Sequence, residues 1–269
     1  MIAADEVRSY IQAQRGTGMA SSAIVDDLLR MGWHPGSIDR AFNDALGEPA
    51  MQSSRPRLPD GHATRLQLGD RTLLVQARWQ RPDACLLSGF LDAAECAEII
   101  GLAEPLLRRS QVRVGDGHAA AGSVTLYART SEQAWIAPGQ STIVDRIQAR
   151  VADLTHWPAG WMEHLQVVRY GVGADFSPHH DFFPASDRAE GQGQRVATLI
   201  MYLNTPAQGG ATSFPDIEME IYPQQGNALY FAYPCATADS LTLHAGVPLV
   251  AGEKWIATFF LRDGTWEGR

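Results

Sequence analysis

"SPHHDFF", residues 177–183, places two adjacent histidines directly before an aspartate. On a β-strand, residues i and i+2 project from one face and residue i+1 projects from the other. His179 and Asp181 are therefore predicted to share a face, and His180 is predicted to point away from them. An imidazole and a carboxylate on one face can hold a divalent metal ion, although such a triplet also arises by chance.

A second segment, "TLHAGVPLVAGEKWIATFF" (residues 242–260), adds another histidine and a lysine. His244 ends a short apolar run, and Lys254 begins the next predicted strand. Counting by twos, the residues that share the face of Lys254 are Ile256, Thr258 and Phe260. A lysine ammonium is strongly hydrated, so an inward-facing Lys254 needs an anion, whereas a lysine at a strand edge bends to solvent.

His179, Asp181 and His244 together form a 2-His-1-carboxylate set, which suits Fe(II) and leaves coordination positions open. Open positions allow a cosubstrate and dioxygen to bind side by side. An inward-facing Lys254 would then pair with the far carboxylate of a small dicarboxylic acid that chelates the iron. The residues therefore predict an iron site with a carboxylate-binding lysine beside it.

Periodicity divides the chain into three parts. Residues 1–48 show three short amphipathic helical patterns, which predict either a simple three-helix module or an adaptor for a protein partner. Residues 49–64 are rich in proline, serine and glycine and predict a linker. Residues 65–269 contain helical patterns followed by many short strands, which predict a mainly β (α+β) domain, a barrel or jelly roll with flanking helices.

Local signals give three more predictions within the third part. Gly69 and Asp70 separate two alternating runs and predict a two-residue hairpin turn. Asp92 and Glu95 have the spacing of a capping box and predict the start of a helix. The glycines and prolines of residues 206–216 predict a mobile loop beside the pocket.

Composition disfavours several classes of function. The net charge is −8 and Lys/Arg runs are absent from the sequence, so a nucleic-acid partner is not expected. The longest apolar runs are far shorter than the roughly 18 residues of a membrane span. The acidic first residues do not resemble a secretory signal, and the three cysteines lack CxxC spacing. We therefore expect a cytoplasmic protein with reduced thiols and without a membrane partner.

Several segments, in order and spacing, resemble the 2-oxoglutarate- and Fe(II)-dependent prolyl 4-hydroxylase family, in its soluble bacterial and plant-like branch. The resemblance extends over about Leu86–Arg262. The segments are "YARTSEQAW", "LQVVRYGVGADFSPHHDFFP", "GQRVATLIMYLNTPAQGGATSFPD", "GNALYFAY" and "TLHAGVPLVAGEKWIATFFLR".

The resemblance implies a double-stranded β-helix (jelly roll) whose iron ligands are His179, Asp181 and His244. It also implies that Lys254 pairs with the distal carboxylate of 2-oxoglutarate and that Tyr170 hydrogen-bonds the same cosubstrate. Thr198 is expected to assist them. Strand alternation gives Thr198 a common face with Val196, Ile200 and Tyr202. Ordinary strand packing is the alternative for Tyr170 and Thr198, and no ligand role is expected for His164 or His180.

The activity that the resemblance implies is hydroxylation of an unactivated C–H bond of a prolyl residue in a peptide or protein. Dioxygen is consumed, 2-oxoglutarate is decarboxylated to succinate and CO2, and ascorbate serves as reductant. The carboxylate of Asp181 favours hydroxylation over halogenation, since halogenating relatives lack it. The alternatives are the same chemistry on a free amino acid or other small molecule, and a non-catalytic ligand sensor.

The chain departs from the family pattern where the substrate is expected to bind. The family commonly has tyrosine three residues before the metal histidine, where this chain has Phe176. It commonly has tryptophan six residues after the lysine, where this chain has Phe260. Both changes remove a polar group and keep an aromatic surface, which leaves the identity of the substrate open. Arg129 and Arg195 are candidates for substrate positioning, or are solvated or salt-bridged strand residues.

Overall fold

The computed structural model describes residues 4–19, 24, 27–28, 31, 33, 35–46, 56–58, 63–109, 131–183, 193–233, 235–264 and 266. The α-helices with described bounds are α1 (Ala4–Gly16), α2 (Pro35–Leu46), α3 (Ala93–Ala103) and α4 (Thr142–Thr155). Among the described residues, we find no helix with the length and apolar character needed to cross a membrane.

The first eight strands are β1 (Arg65–Gln67), β2 (Thr72–Trp79), β3 (Asp83–Ser88), β4 (Arg108–Arg109), β5 (Glu132–Ile136), β6 (Leu165–Tyr170), β7 (Phe176–His179) and β8 (Arg195–Tyr202). The remaining strands are β9 (Gln208–Gly209), β10 (Thr212–Phe214), β11 (Met219–Ile221), β12 (Ala228–Ala232), β13 (His244–Gly246), β14 (Leu249–Ala251) and β15 (Lys254–Arg262).

The strands form a large and a small antiparallel sheet that pack face to face. The nine-stranded sheet has the order β1-β2-β3-β12-β8-β15-β6-β5-β4, the four-stranded sheet has the order β11-β10-β13-β7, and β14 pairs with β9. One apolar core lies between the two sheets, and another lies between the nine-stranded sheet and helices α3 and α4. The predicted mainly β double-stranded β-helix with flanking helices is confirmed.

Strand β15 shows how alternation separates these two cores. Its residues on the helix side are Trp255, Ala257, Phe259 and Leu261. Its residues on the opposite side, toward the cavity between the sheets, are Lys254, Ile256, Thr258 and Phe260. The prediction that Lys254 faces inward is therefore confirmed.

Local hydrogen bonds confirm the predicted turn and helix start. The backbone N–H of Leu68 donates to the carbonyl of Arg71 at 2.9 Å and closes the turn between β1 and β2. The Glu95 N–H donates to Asp92 Oδ1 at 2.8 Å, and the Asp92 N–H donates to Glu95 Oε2 at 3.1 Å. These reciprocal bonds form the capping box at the start of α3.

Strand β8 contains a β-bulge that alternation from the sequence did not predict. Leu261 pairs with Ala197 and Arg262 pairs with Arg195, so Val196 is an extra residue in β8. Val196 packs on the helix side, and the prediction that it shares a face with Thr198 is wrong. Because of the bulge, Arg195 and Thr198 both border the cavity although they are three residues apart.

Residues 206–216 are not the irregular loop that the sequence predicted, because strands β9 and β10 lie within them. Their mobility stays a prediction. The two glycines of this segment have positive φ angles, 81° for Gly209 and 73° for Gly210. A Cβ atom on Gly210 would lie 3.3 Å from Cδ of Lys254. These glycines therefore allow a close approach of this segment to Val250 and to the Lys254 side chain.

In the predicted N-terminal module, α1 and α2 pack together, and Gln12 Nε2 donates to the carbonyl of Ala45 at 3.2 Å. The predicted middle helix lies mostly outside the described residues. Within the predicted linker, the carbonyl of Pro56 accepts a hydrogen bond from the Tyr230 hydroxyl at 2.6 Å. The predicted boundaries at residues 48 and 64 stay predictions.

Candidate active site

Three predicted metal ligands converge at the edge of the four-stranded sheet. His244 on β13 lies directly opposite His179 on β7, and Asp181 lies in the bend two residues beyond β7. The Nε2 atom of His179 is 3.5 Å from Oδ1 of Asp181, and the Nε2 atom of His244 is 3.6 Å from Oδ2. One potential ligand atom from each residue lies within 4.8 Å of the others, so the three can share a metal ion.

Backbone contacts orient both imidazoles toward the metal position. Nδ1 of His179 is 2.9 Å from the carbonyl oxygen of Ser177, and Nδ1 of His244 is 3.0 Å from that of Thr242. If each Nδ1–H donates to its carbonyl, each Nε2 keeps its lone pair for a metal. Burial lowers the pKa of His244 to about 4, so this ring is neutral at pH 7. Two imidazole nitrogens and a carboxylate suit Fe(II).

Two hydroxyl groups hold the Asp181 carboxylate from the side of the nine-stranded sheet. Oδ2 accepts hydrogen bonds from Thr198 Oγ1 at 2.8 Å and from the Tyr233 hydroxyl at 3.3 Å. The two hydroxyls also contact each other. Burial alone would raise the pKa of Asp181, but its interactions with His244, His179 and the Arg195 guanidinium outweigh this effect and hold its pKa well below the usual range. The carboxylate is therefore ionised and fixed in place.

Tyr233 is a residue that sequence reasoning missed. It follows Leu229 and Phe231 at intervals of two, and all three lie in the core between the sheets. Counting onward by twos from β12 would have placed its hydroxyl near the metal ligands. The predicted contact of Thr198 with the cosubstrate stays a prediction, because its described hydrogen bonds go to Asp181 and Tyr233.

We expect Tyr233→Phe and Thr198→Val each to weaken metal binding by about 10- to 100-fold, the usual effect of removing a group that orients a metal ligand. Mn(II) titration followed by electron paramagnetic resonance would measure the affinity. Thr198→Ser keeps the hydroxyl and serves as the matched control, with affinity close to that of the wild type. Wild-type affinity in both hydroxyl-free variants would show that these groups do not orient Asp181.

Lys254 lies across the cavity, directly opposite Tyr170 in the pairing of β15 with β6. Its Nζ is 5.3 Å from the centre of the Tyr170 ring. The side chain is buried, and among the described residues no carboxylate forms an ion pair with it. Burial lowers the pKa of Lys254 to about 8. A buried ammonium without a counter-ion is unfavourable, so a carboxylate ligand would stabilise it here.

Aromatic rings line the side of the cavity where a substrate is expected. The Phe176 ring centre is 3.8 Å from that of His179, and Phe260 borders the same space. Both phenylalanines border the cavity, and their contact with a substrate stays a prediction. Arg129, which the sequence also suggested for substrate positioning, lies outside the described residues.

Arg195 is salt-bridged, which is one of the alternatives that the sequence left open. Its Nε and Nη2 donate to the two carboxylate oxygens of Glu163, each at 2.7 Å. Nη1 donates to the backbone carbonyl of Asp181 at 3.3 Å, and the guanidinium lies 3.6 Å from the centre of the Phe260 ring. Direct contact of Arg195 with a substrate stays a prediction.

Glu163 and Arg262 form a buried extension of this network that sequence reasoning also missed. Arg262 Nε donates to Glu163 Oε1 at 2.7 Å, so one carboxylate binds two guanidinium groups. His164 and His180 border the cavity without joining the group of metal ligands, and His180 stacks on Phe182. The cavity has a volume of about 760 Å³.

Sequence comparisons agree with this geometry. Residues 165–262 match the family model described as the 2OG-Fe(II) oxygenase superfamily. The chain is 32% identical to the probable prolyl 4-hydroxylase 3 of Arabidopsis thaliana, over 70% of this chain and 72% of that protein. It is 32% identical to prolyl 4-hydroxylase subunit alpha-1 of Mus musculus, but spans 36% of that subunit.

A solved structure of a viral collagen prolyl hydroxylase from Paramecium Bursaria Chlorella virus-1, in complex with 2OG, shares the fold. Its identity to this chain is 30% and the TM-score is 0.51, with 66% of this chain and 94% of the viral chain covered. Oxygenases of this superfamily use Fe(II), 2-oxoglutarate and dioxygen, and the donor set of His179, Asp181 and His244 fits the metal. The chain belongs to the prolyl 4-hydroxylase family of 2-oxoglutarate- and Fe(II)-dependent oxygenases.

Proposed function

We propose that the protein is a dioxygenase that hydroxylates a prolyl residue of a peptide or protein and converts 2-oxoglutarate to succinate and CO2. The observation that carries the proposal is the convergence of His179, Asp181 and His244 on one side of a cavity whose other wall holds Lys254, which forms no ion pair with any described residue. A metal site alone would not need a buried lysine. A dicarboxylic acid that chelates the metal at one end would need the lysine to bind its other carboxylate.

Each residue has a distinct task in this proposal. Bound Fe(II), with 2-oxoglutarate and dioxygen, supplies the oxidising chemistry. His179, Asp181 and His244 hold the metal, with the imidazoles oriented by their backbone contacts. The ammonium of Lys254 pairs with the distal carboxylate of 2-oxoglutarate, and the Tyr170 hydroxyl hydrogen-bonds the same cosubstrate. Phe176 and Phe260 exclude water and pack against the substrate.

The names of the relatives favour a prolyl substrate. The Arabidopsis thaliana relative is a probable prolyl 4-hydroxylase and the viral structure is a collagen prolyl hydroxylase. A second candidate, hydroxylation of a free amino acid or other small molecule, is favoured by Phe176 and Phe260, which lack the polar groups common in the family. Ascorbate as reductant, a cytoplasmic location and a protein contact through residues 1–48 are further parts of the proposal, supported by the sequence alone.

The proposed function is tested by measuring succinate formed with Fe(II), ascorbate and 2-oxoglutarate under air. A pool of proline-rich peptides, a pool of free amino acids and buffer would be compared, with mass spectrometry for the gain of one oxygen. We expect stimulation by the peptides and an oxidised proline. Stimulation by the free amino acids alone would favour the second candidate, and failure to form succinate in every sample would contradict an oxygenase.

A further inference from the structure

The bend that carries Asp181 lies beyond the end of an edge strand. β7 is at the edge of the four-stranded sheet, and its pairing with β13 reaches His179 and goes no further. Among the described residues, the backbone of residues 181–183 forms no hydrogen bond with another backbone group. A metal ligand two residues beyond a strand therefore needs side chains to fix its position.

The side-chain amide of Gln194, the residue before β8, takes the place of a neighbouring strand at this bend. Its Nε2 donates to the carbonyl of Phe183 at 2.7 Å, and its Oε1 accepts from the Phe183 N–H at 2.8 Å. Oε1 also accepts from the N–H of Arg195 at 2.9 Å. A rotated amide would turn its NH2 toward these two N–H donors, so this orientation is the favourable one. Gln194 thus bonds Phe183 through both backbone groups, as a paired strand residue would.

Gln194 is itself anchored to the nine-stranded sheet. Its N–H donates to Asp263 Oδ1 at 2.6 Å, and the Asp263 N–H donates to its carbonyl at 2.9 Å. These bonds continue the pairing of β8 with β15 beyond Arg195 and Arg262. Gly193 permits this contact, because a Cβ atom there would lie 2.7 Å from Asp263 Oδ1. Through Gln194, the nine-stranded sheet therefore determines where the bend lies.

We propose that Gln194 is a positioning residue for the metal site, which fixes the backbone after Asp181 so that the carboxylate reaches the metal. Thr198 binds the Asp181 carboxylate and Arg195 binds its backbone carbonyl, but neither bonds the chain beyond Asp181. Gln194 does not border the cavity, so its effect on the metal passes through the backbone of Phe183. The inference rests on the metal site of the proposed function and is the same for a peptide and a small-molecule substrate.

The test replaces the amide in the full chain and measures metal binding directly. Gln194→Leu removes every side-chain hydrogen bond and is expected to weaken Mn(II) binding about 10-fold, a usual effect of losing a group that orients a metal ligand. Gln194→Glu keeps the accepted bonds and loses the donated one, so its affinity should fall between those of Gln194→Leu and the wild type. Electron paramagnetic resonance would measure the affinity, and the splitting of the bound Mn(II) signal would report its ligand geometry. In turnover assays, kcat is expected to fall while the KM for 2-oxoglutarate changes by less than about twofold.

Gln148→Leu is the matched control, because Gln148 Nε2 also donates to a backbone carbonyl, that of Ala159 at 2.9 Å, and Gln148 lies outside the cavity. It should bind Mn(II) as the wild type does, and thermal melting without metal would compare the stability of all variants. Wild-type Mn(II) affinity in Gln194→Leu and Gln194→Glu, or an equal loss in Gln148→Leu, would overturn the role of Gln194. Failure of the wild type to bind Mn(II) would contradict the metal site itself, and with it both the proposed function and this inference.

Discussion

Asp181→Ala is expected to lower 2-oxoglutarate turnover by about 1000-fold or more while the protein stays folded. The substitution removes one of the three ligand groups and the acceptor of the Thr198 and Tyr233 hydroxyls. A metal that contributes several kcal/mol to the barrier accounts for a loss of this size. Succinate release with Fe(II) under air would measure turnover, and circular dichroism would report folding.

Asp239→Ala is the matched control for this variant, because Asp239 is an exposed carboxylate outside the cavity. Full activity is expected for Asp239→Ala. Normal succinate production by purified Asp181→Ala would show that Asp181 does not hold the metal. A folded but inactive Asp181→Ala that also fails to bind Mn(II) would support the assignment.

Lys254→Ala is expected to raise the KM for 2-oxoglutarate about 100-fold, with a smaller effect on kcat. The reason is the loss of a desolvated charge partner for the distal carboxylate, an interaction of about 3 kcal/mol. Lys254→Arg keeps a cation and is expected to recover part of the affinity. An unchanged KM in Lys254→Ala would show that the lysine does not contact the cosubstrate.

Because of Lys254, we expect the affinity for 2-oxoglutarate to depend on pH in the wild type and to depend on it less in Lys254→Arg. Burial lowers the pKa of Lys254 to about 8 in the cosubstrate-free protein, and only the protonated form pairs with a carboxylate. Affinity for 2-oxoglutarate is therefore expected to fall as the pH rises through about 8. Arginine stays protonated across this range, so Lys254→Arg should show a flatter profile. Calorimetric titrations with Mn(II) under nitrogen would measure both profiles.

The sequence predicted the inward orientation of Lys254 because strand β15 is regular up to Leu261. Counting by twos along β15 identified its cavity face, since no residue interrupts that strand before Arg262. The sequence also predicted that His179 and Asp181 lie close together. They do, although β7 ends at His179 and Asp181 lies in the bend that follows the strand.

Other features could not be predicted because they depend on contacts between distant segments. The bulge at Val196 reverses the alternation of β8, and a single inserted residue leaves no periodic signal. Gly209 and Gly210 suggested an irregular loop, whereas they let this segment approach β14 and the Lys254 side chain closely. The charge pairing of Glu163 with Arg195 and Arg262 joins three separate segments, so spacing along the chain could not reveal it.

The attachment of the metal ligands to two different sheets has a mechanical consequence. His179 and His244 belong to the four-stranded sheet, whereas Asp181 is tied by Thr198 to the nine-stranded sheet. A metal bound by all three would act as a cross-link between the layers. Separating the two sheets would then require the metal to dissociate. Metal occupancy and the rigidity of the two-sheet structure are therefore thermodynamically coupled.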